Sequence, residues 1–339
     1  MTHRERVKNI LSKKPVDRTA FWLGEPRPET LAAYCQALNV PDRWELAKKL
    51  DEDIIWIMCD QYYESRNGKP MFDIMGGKPK VSLSQPGVFA DCESVEEIEA
   101  YDWSDPSSLN FERIEQALDK AEEYDLAVFG GMWSCFFHVV SDFFGMENYM
   151  VKMYTEPEVV EALTQKVVDF YYTANQLIFE RFASKFTAAF MGNDFGTQIS
   201  LLVGPEQFRQ FILPHYKRLI DLAHSYGLPV VVHSCGSIIK LIPDLIQAGI
   251  DGLHPLQALA SGMDAENLQN NFGGQIAFMG GVDTQQLLPN GTDEEIKNEV
   301  KRLKRVFSEN YIVSPSHEGL QMDIPLRAVL AMADEAVKG

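Results

Sequence analysis

His233 and Cys235 stand two residues apart at the end of an apolar run, Val230-Val231-Val232-His233-Ser234-Cys235-Gly236. On a strand, residues i and i+2 share a face, so an imidazole and a thiol emerge side by side. The pair suits zinc, which takes imidazole nitrogen and thiolate sulfur at roughly 2.1 and 2.3 Å. The plainer reading of His-x-Cys is a hydrogen-bonded core histidine beside a buried thiol. A metal needs further donors, and His317 in Ser316-His317-Glu318 is the best third ligand; without a metal it is a hydrogen-bonding or catalytic histidine. Asp194 and Glu318 could complete the site, or a substrate thiol or water could. Asp194 reads more readily as a catalytic residue that orients a ligand or binds substrate.

These residues need a scaffold that brings them to one rim. Eight short apolar runs read as strands: 19–23, 53–58, 126–131, 187–192, 228–233, 250–255, 275–280 and 311–315. Near-continuous apolar runs are expected of strands buried on both faces. Amphipathic stretches fill the gaps, the clearest at 155–185, 205–226, 237–248, 293–309 and 325–337. Pro214 either kinks or splits the second of these, and Thr292 with Glu295 forms a capping box that starts the fourth. Alternating strands and helices predict an α/β fold, a single (β/α)8 TIM barrel over residues 1–339. Residues 60–125 read as an irregular insertion after the second strand, with one helix near 111–123, able to form a lid or an interface.

In such a barrel the active site lies at the C-terminal ends of the strands. Each of the eight runs ends in polar residues, among them Glu25, Asp60, Cys135, Asp194, His233 with Cys235, His254 with Gln257, Asp283, and His317 with Glu318. Packing alone would not require that at every strand. Trp22, Trp133, Phe136 and Phe137 suit a planar ligand or, more plainly, the core; Cys59, Cys92 and Cys135 read as structural. Phe208, Phe211 and Ile212 face either a partner or the barrel.

The net charge of -18 argues against nucleic acid and anionic membranes as partners. No run approaches the ~18 apolar residues that a membrane helix needs. The opening Met1-Thr2-His3-Arg4-Glu5-Arg6-Val7 lacks an apolar signal core, and the five cysteines form no CxxC pair. Both observations predict a cytoplasmic protein with free thiols.

Five segments carry a family resemblance: GNDFGTQ at 192–198, VVVHSCGSI at 230–238, GIDGLHPLQ at 249–257, IAFMGGVDTQQLL at 276–288 and YIVSPSHEGLQMDIPL at 311–326. Together with RERVKNILSKKPVDRTAFW at 4–22, they resemble the uroporphyrinogen decarboxylase superfamily, and within it the zinc-dependent methyltransferases that act on corrinoid proteins. The resemblance implies the (β/α)8 barrel. It also implies zinc held by His-x-Cys after the fifth strand, matched here by His233 and Cys235. The methyltransferases' third ligand is a Cys after strand eight, where this chain has His317. The decarboxylase's arginine-rich RQAGRY motif is replaced by WLGEPRPET at 22–30, with only Arg27 and an added Glu25. Its substrate-binding aspartate falls near Asp60.

The implied function is methyl transfer between a corrinoid on a carrier protein and a thiol or folate acceptor, with Asp194 and Gln257 orienting the acceptor or the metal ligands. An alternative is decarboxylation of a tetrapyrrole or smaller acid, with Asp60 or Asp194 on the pyrrole NH groups. A third is a non-catalytic binder of a corrinoid or its carrier.

Overall fold

The structure is a computed structural model that describes residues 1–65, 68–82 and 85–339. Eight parallel strands form one sheet: β1 (Ala20–Phe21), β2 (Ile54–Met58), β3 (Ala127–Gly131), β4 (Ala188–Gly192), β5 (Val230–His233), β6 (Gly252–His254), β7 (Ala277–Val282) and β8 (Tyr311–Pro315). All eight apolar runs are strands. The hydrogen-bonded order β1-β8-β7-β6-β5-β4-β3-β2, flanked by helices, is the expected (β/α)8 barrel. Most strand residues are buried, as strands between a packed interior and a ring of helices must be.

The first strand is shorter than its apolar run. It pairs with β8 through Ala20 and Phe21 only, and among the described residues it shares no ladder with β2. Carboxylates close that seam instead. Asp53 N donates to Phe21 O at 2.8 Å, while Asp53 Oδ2 accepts from Phe21 N at 2.8 Å. Glu52 Oε2 accepts from Leu23 N at 2.9 Å. Basic side chains hold both carboxylates: His3 and Arg18 lie 2.8 and 2.7 Å from Asp53, Arg6 also binds it, and Arg43 Nη1 lies 2.7 Å from Glu52. The helix His3–Leu11, started by a Thr2–Glu5 capping box, contacts β1, β2, β3 and β8 and brings His3 and Arg6 to the seam.

The interior of the barrel is packed. Val7, Ile10 and Leu11 from the first helix join Trp22, Phe129, Phe190, Val231, Met279 and Ile312 in one buried cluster. Gly280 on β7 sets a tight approach to the chain that follows β6. Its φ is +122°, and a Cβ there would stand 1.7 Å from the Pro255 carbonyl oxygen. Gly280→Ala is therefore expected to cost at least about 3 kcal/mol, read from the urea midpoint. A variant as stable as the parent would mean that this approach is not rigid.

Outside the sheet, proline divides two of the helices. Residues 205–226 form Pro205–Phe211 and Leu213–Ser225, with Pro214 in the first turn of the second, where its missing N–H costs nothing. The stretch from 155 also divides: Met146–Thr155 ends, Glu156 leaves helical geometry at φ -141° and ψ 56°, and Pro157 opens the helix that runs to Phe182. The segment between β2 and β3 holds a helical turn (Cys59–Tyr62) and a short helix (Val95–Glu99) besides the expected Phe111–Glu123. Its Phe72 and Phe89 pack against Phe143 at 6.5 and 5.3 Å between ring centroids, so this part docks on the helix after β3. Phe208, Phe211 and Ile212 are buried, which removes them as an exposed interface. Among the described residues, no helix is long and apolar enough to cross a membrane.

Candidate metal centre at the barrel mouth

The β5–β6 register pairs His233 with His254, and β4–β5 pairs Gly192 with His233. Paired residues of neighbouring parallel strands point the same way, so the rings of His233 and His254 meet, with their Nδ1 atoms 2.8 Å apart. Cys235, two residues on, returns to the same side, and its Sγ lies 3.4 Å from His233 Nε2. The turn carrying it needs glycine: Gly236 has φ +83°, and a Cβ there would stand 2.3 Å from the Gly196 backbone. Gln257 braces the same turn by accepting from Gly236 N at 3.0 Å and from Gln198 Nε2 at 2.9 Å.

Asp194 follows β4. Its Oδ1 accepts from Cys235 N at 2.8 Å and lies 3.2 Å from His233 Nε2. Its own backbone N–H donates to His138 Nε2 at 2.9 Å. Two sets of donor atoms therefore converge, each within 4.8 Å: Asp194, His233 and Cys235, and His233, His254 and Glu318. Imidazole nitrogen, thiol sulfur and carboxylate oxygen are ligand types that zinc accepts, so the first set fits that ion. The second set uses the other edge of the same imidazole, with Glu318 Oε2 3.5 Å from His233 Nδ1 and without a hydrogen-bond partner.

His317 belongs to neither set. Its Nδ1 accepts from Gly319 N at 2.9 Å and lies 3.6 Å from Glu318 Oε2, and its ring meets His233 edge-on at 6.4 Å. Asp60 stands farther round the rim, where Oδ2 accepts from Trp133 N at 2.6 Å. Trp133 in turn packs on His233, with centroids 5.2 Å apart. Trp22 is buried in the barrel interior, and Phe136 and Phe137 in the outer core.

The electrostatics follow from burial and these contacts. Burial opposes a charge on His233, but Glu318, then Asp194 and Cys235, outweigh it and hold the ring protonated. Burial pushes the Cys235 thiol up, and His233 partly offsets that. Burial also opposes the Asp194 carboxylate, yet His233 and the Cys235 amide keep it well below the usual range. His254 is driven the other way, first by burial and then by His233 and His317, and stays neutral. Glu25, behind Glu318, is pushed up to about 7 by burial, opposed by Arg43 and reinforced by Glu52 and Glu318. Burial raises Asp60 to about 6.

Two of these residues had no assigned role in the sequence reading. His254 is among the strand-end residues, but its partnership depends on strand register. His138 sits inside Phe136–Phe144, a helix whose other residues are apolar apart from Ser141 and Asp142, and nothing local marks it.

The model of the family described as uroporphyrinogen decarboxylase (URO-D) matches residues 74–338. A methylated-thiol–coenzyme M methyltransferase of Methanosarcina mazei is 27% identical over 165 residues, covering 49% of this chain and 41% of that protein. The methylcobamide:CoM methyltransferase MtbA of Methanosarcina acetivorans is 24% identical over 222 residues, covering 64% of this chain and 60% of the relative. The chain thus spans about half the length of the curated relatives it matches. A solved methyltransferase from Methanosarcina mazei superposes with a TM-score of 0.67 at 17% identity, over 99% of this chain and 98% of that one, and supports the barrel fold. The family match takes in six of the eight strands and every residue of the two donor sets, and the resemblance read from the motifs is borne out: the chain belongs to the uroporphyrinogen decarboxylase (URO-D) family.

Proposed function

We propose that this protein is a zinc-dependent methyltransferase that moves a methyl group between a corrinoid on a carrier protein and a thiol acceptor. The observation behind this reading is the convergence of Asp194 Oδ1, His233 Nε2 and Cys235 Sγ at the barrel mouth. The names of both curated relatives, methyltransferases of coenzyme M, point the same way. His233 and Cys235 would hold the ion with Asp194, and His317 would join from the β8 loop. Zinc there would supply the Lewis acidity that keeps an acceptor thiol as thiolate at neutral pH.

The chain's own residues do the rest. Asp194, anchored by Cys235 N, holds its oxygen against His233 Nε2. Gln257 fixes the turn that carries Cys235, which keeps the sulfur within reach. Trp133 and His233 form one wall, so water meets an aromatic face on that side.

A decarboxylase acting on a polycarboxylate is the less favoured reading. Such a substrate wants cations, and the rim offers Glu25, Asp194 and Glu318 against Arg27. A folate acceptor and a non-catalytic binder are separated from the thiol reading by experiment. Zinc-loaded protein is incubated with methylcobalamin and a simple thiol, and thioether is followed by mass spectrometry. Thioether formation that disappears on chelation supports the proposal. Tightly bound zinc with no transfer to a thiol or a folate favours the binder, and loss of CO2 from uroporphyrinogen favours the decarboxylase.

Protons also report on the site. In the metal-free chain the His233 ring is held protonated, and burial keeps the Cys235 thiol up. Each proton displaced on binding makes affinity climb about one log unit per pH unit. Zinc affinity is therefore expected to rise steeply from about pH 6 to 8, measured by competition with a chromophoric chelator. A flat profile would remove both side chains as ligands.

A further inference from the structure

His254 is fully buried, yet it touches the one imidazole that serves both donor sets. Two imidazole nitrogens 2.8 Å apart need one proton between them, since two N–H groups clash and two lone pairs repel. The surroundings decide which ring supplies it. His233 Nδ1 also faces Glu318 Oε2 at 3.5 Å, an acceptor that favours an N–H at that nitrogen. His254 has the opposite environment. Its ring is packed by Trp22 at 5.4 Å and Phe190 at 5.5 Å, and its Nε2 has no hydrogen-bond partner. An imidazolium there would bury a charge among aromatic rings, with no carboxylate paired to it among the described residues to offset the loss of hydration.

We propose that His254 is a positioning residue: its unprotonated Nδ1 accepts the Nδ1–H of His233 and thereby keeps His233 Nε2 turned toward Asp194 and Cys235. Metal-ligating histidines are ordinarily held by a carboxylate, a backbone carbonyl or water. Here a second imidazole does it, clamped in turn by the barrel's aromatic interior. The effect on metal binding rests on the zinc reading above, whereas the hydrogen bond itself does not.

The test has two arms. The full-length chain is labelled with 15N-histidine, and long-range 1H–15N spectra are recorded with no metal added; seven histidines give a tractable spectrum. The His254→Asn spectrum identifies the His254 signals. The expected pattern for His254 is a neutral ring with a bare Nδ1 and a protonated Nε2. A His254 protonated at Nδ1, as tautomer or as imidazolium, overturns the proposal.

Zinc affinity is then measured by chelator competition for two variants. His254→Leu should bind about 10–100-fold more weakly than the parent. His254→Asn, whose Oδ1 can accept near the same position, should recover to within about threefold. Equal affinity of His254→Leu and the parent also overturns the proposal. If the parent itself takes up no zinc, the proposed function fails, and the spectra alone decide the role of His254.

Discussion

Replacing Cys235 with serine is expected to lower methyl transfer on the order of a thousandfold while leaving the barrel folded. Losing the Lewis acidity of the centre removes several kcal/mol of stabilisation from the reacting charge, and about 4 kcal/mol corresponds to that factor. Serine keeps the size of the side chain but not the soft sulfur donor. The Cys235 backbone N–H, which holds Asp194, survives the change. Zinc content should fall with activity, while circular dichroism and the urea midpoint stay near those of the parent. A Cys235→Ser protein that retains both its zinc and its turnover would end the proposal that this sulfur is a ligand. His233→Ala should be as damaging, because it removes the imidazole that both donor sets share.

The second large effect is structural. Asp53→Ala is expected to destabilise the protein by about 3–5 kcal/mol, because it strands buried cations that the carboxylate now neutralises. Arg6, Arg18 and His3 all bind Asp53, whose side chain is fully buried. The substitution also leaves Phe21 N without its acceptor at the seam. Burial works against the Asp53 charge, yet His3, Arg18 and Arg6 together hold its carboxyl below the usual range. A depressed carboxyl contributes stability that is present above the unfolded value near 4 and is lost as pH falls through the folded value. The gap between parent and variant should therefore be constant from about pH 6 to 8 and close only in acid. Urea titrations across that range measure it. A gap under about 1 kcal/mol at neutral pH would mean that the seam closes without Asp53.

The strands were legible because a parallel sheet buries both of its faces, so β3, β4, β5 and β7 read as apolar runs. The two-residue β1 was not legible. Its apolar run continues to Leu23, but on the β2 side its hydrogen bonds go to Asp53 and Glu52, about thirty residues away, and no local pattern encodes that exchange. The helix break at Glu156 was likewise missed, since the following proline marks a first turn as readily as a kink. At the site, His233 and Cys235 could be paired from spacing alone because a strand repeats every two residues. Asp194 joins them through the β4–β5 pairing and the loops beyond it, and His254 through the β5–β6 register. Those are contacts between strands, which a single chain does not spell out. His317, placed at the right rim by the strand count, lies beside Glu318 and outside both donor sets. Its place in the metal shell is part of the proposal.

The filled interior beneath His233 has a consequence for traffic. With Trp22, Phe190 and Met279 plugging the shaft from below, the described residues leave the centre no way in through the barrel interior. Under the proposed chemistry, the small acceptor and the bulky methyl carrier must share a single entrance. Whichever arrives first is trapped under the second, so turnover should be ordered: the acceptor enters first, the carrier then corks the mouth, and the carrier must lift away before the methylated product can leave.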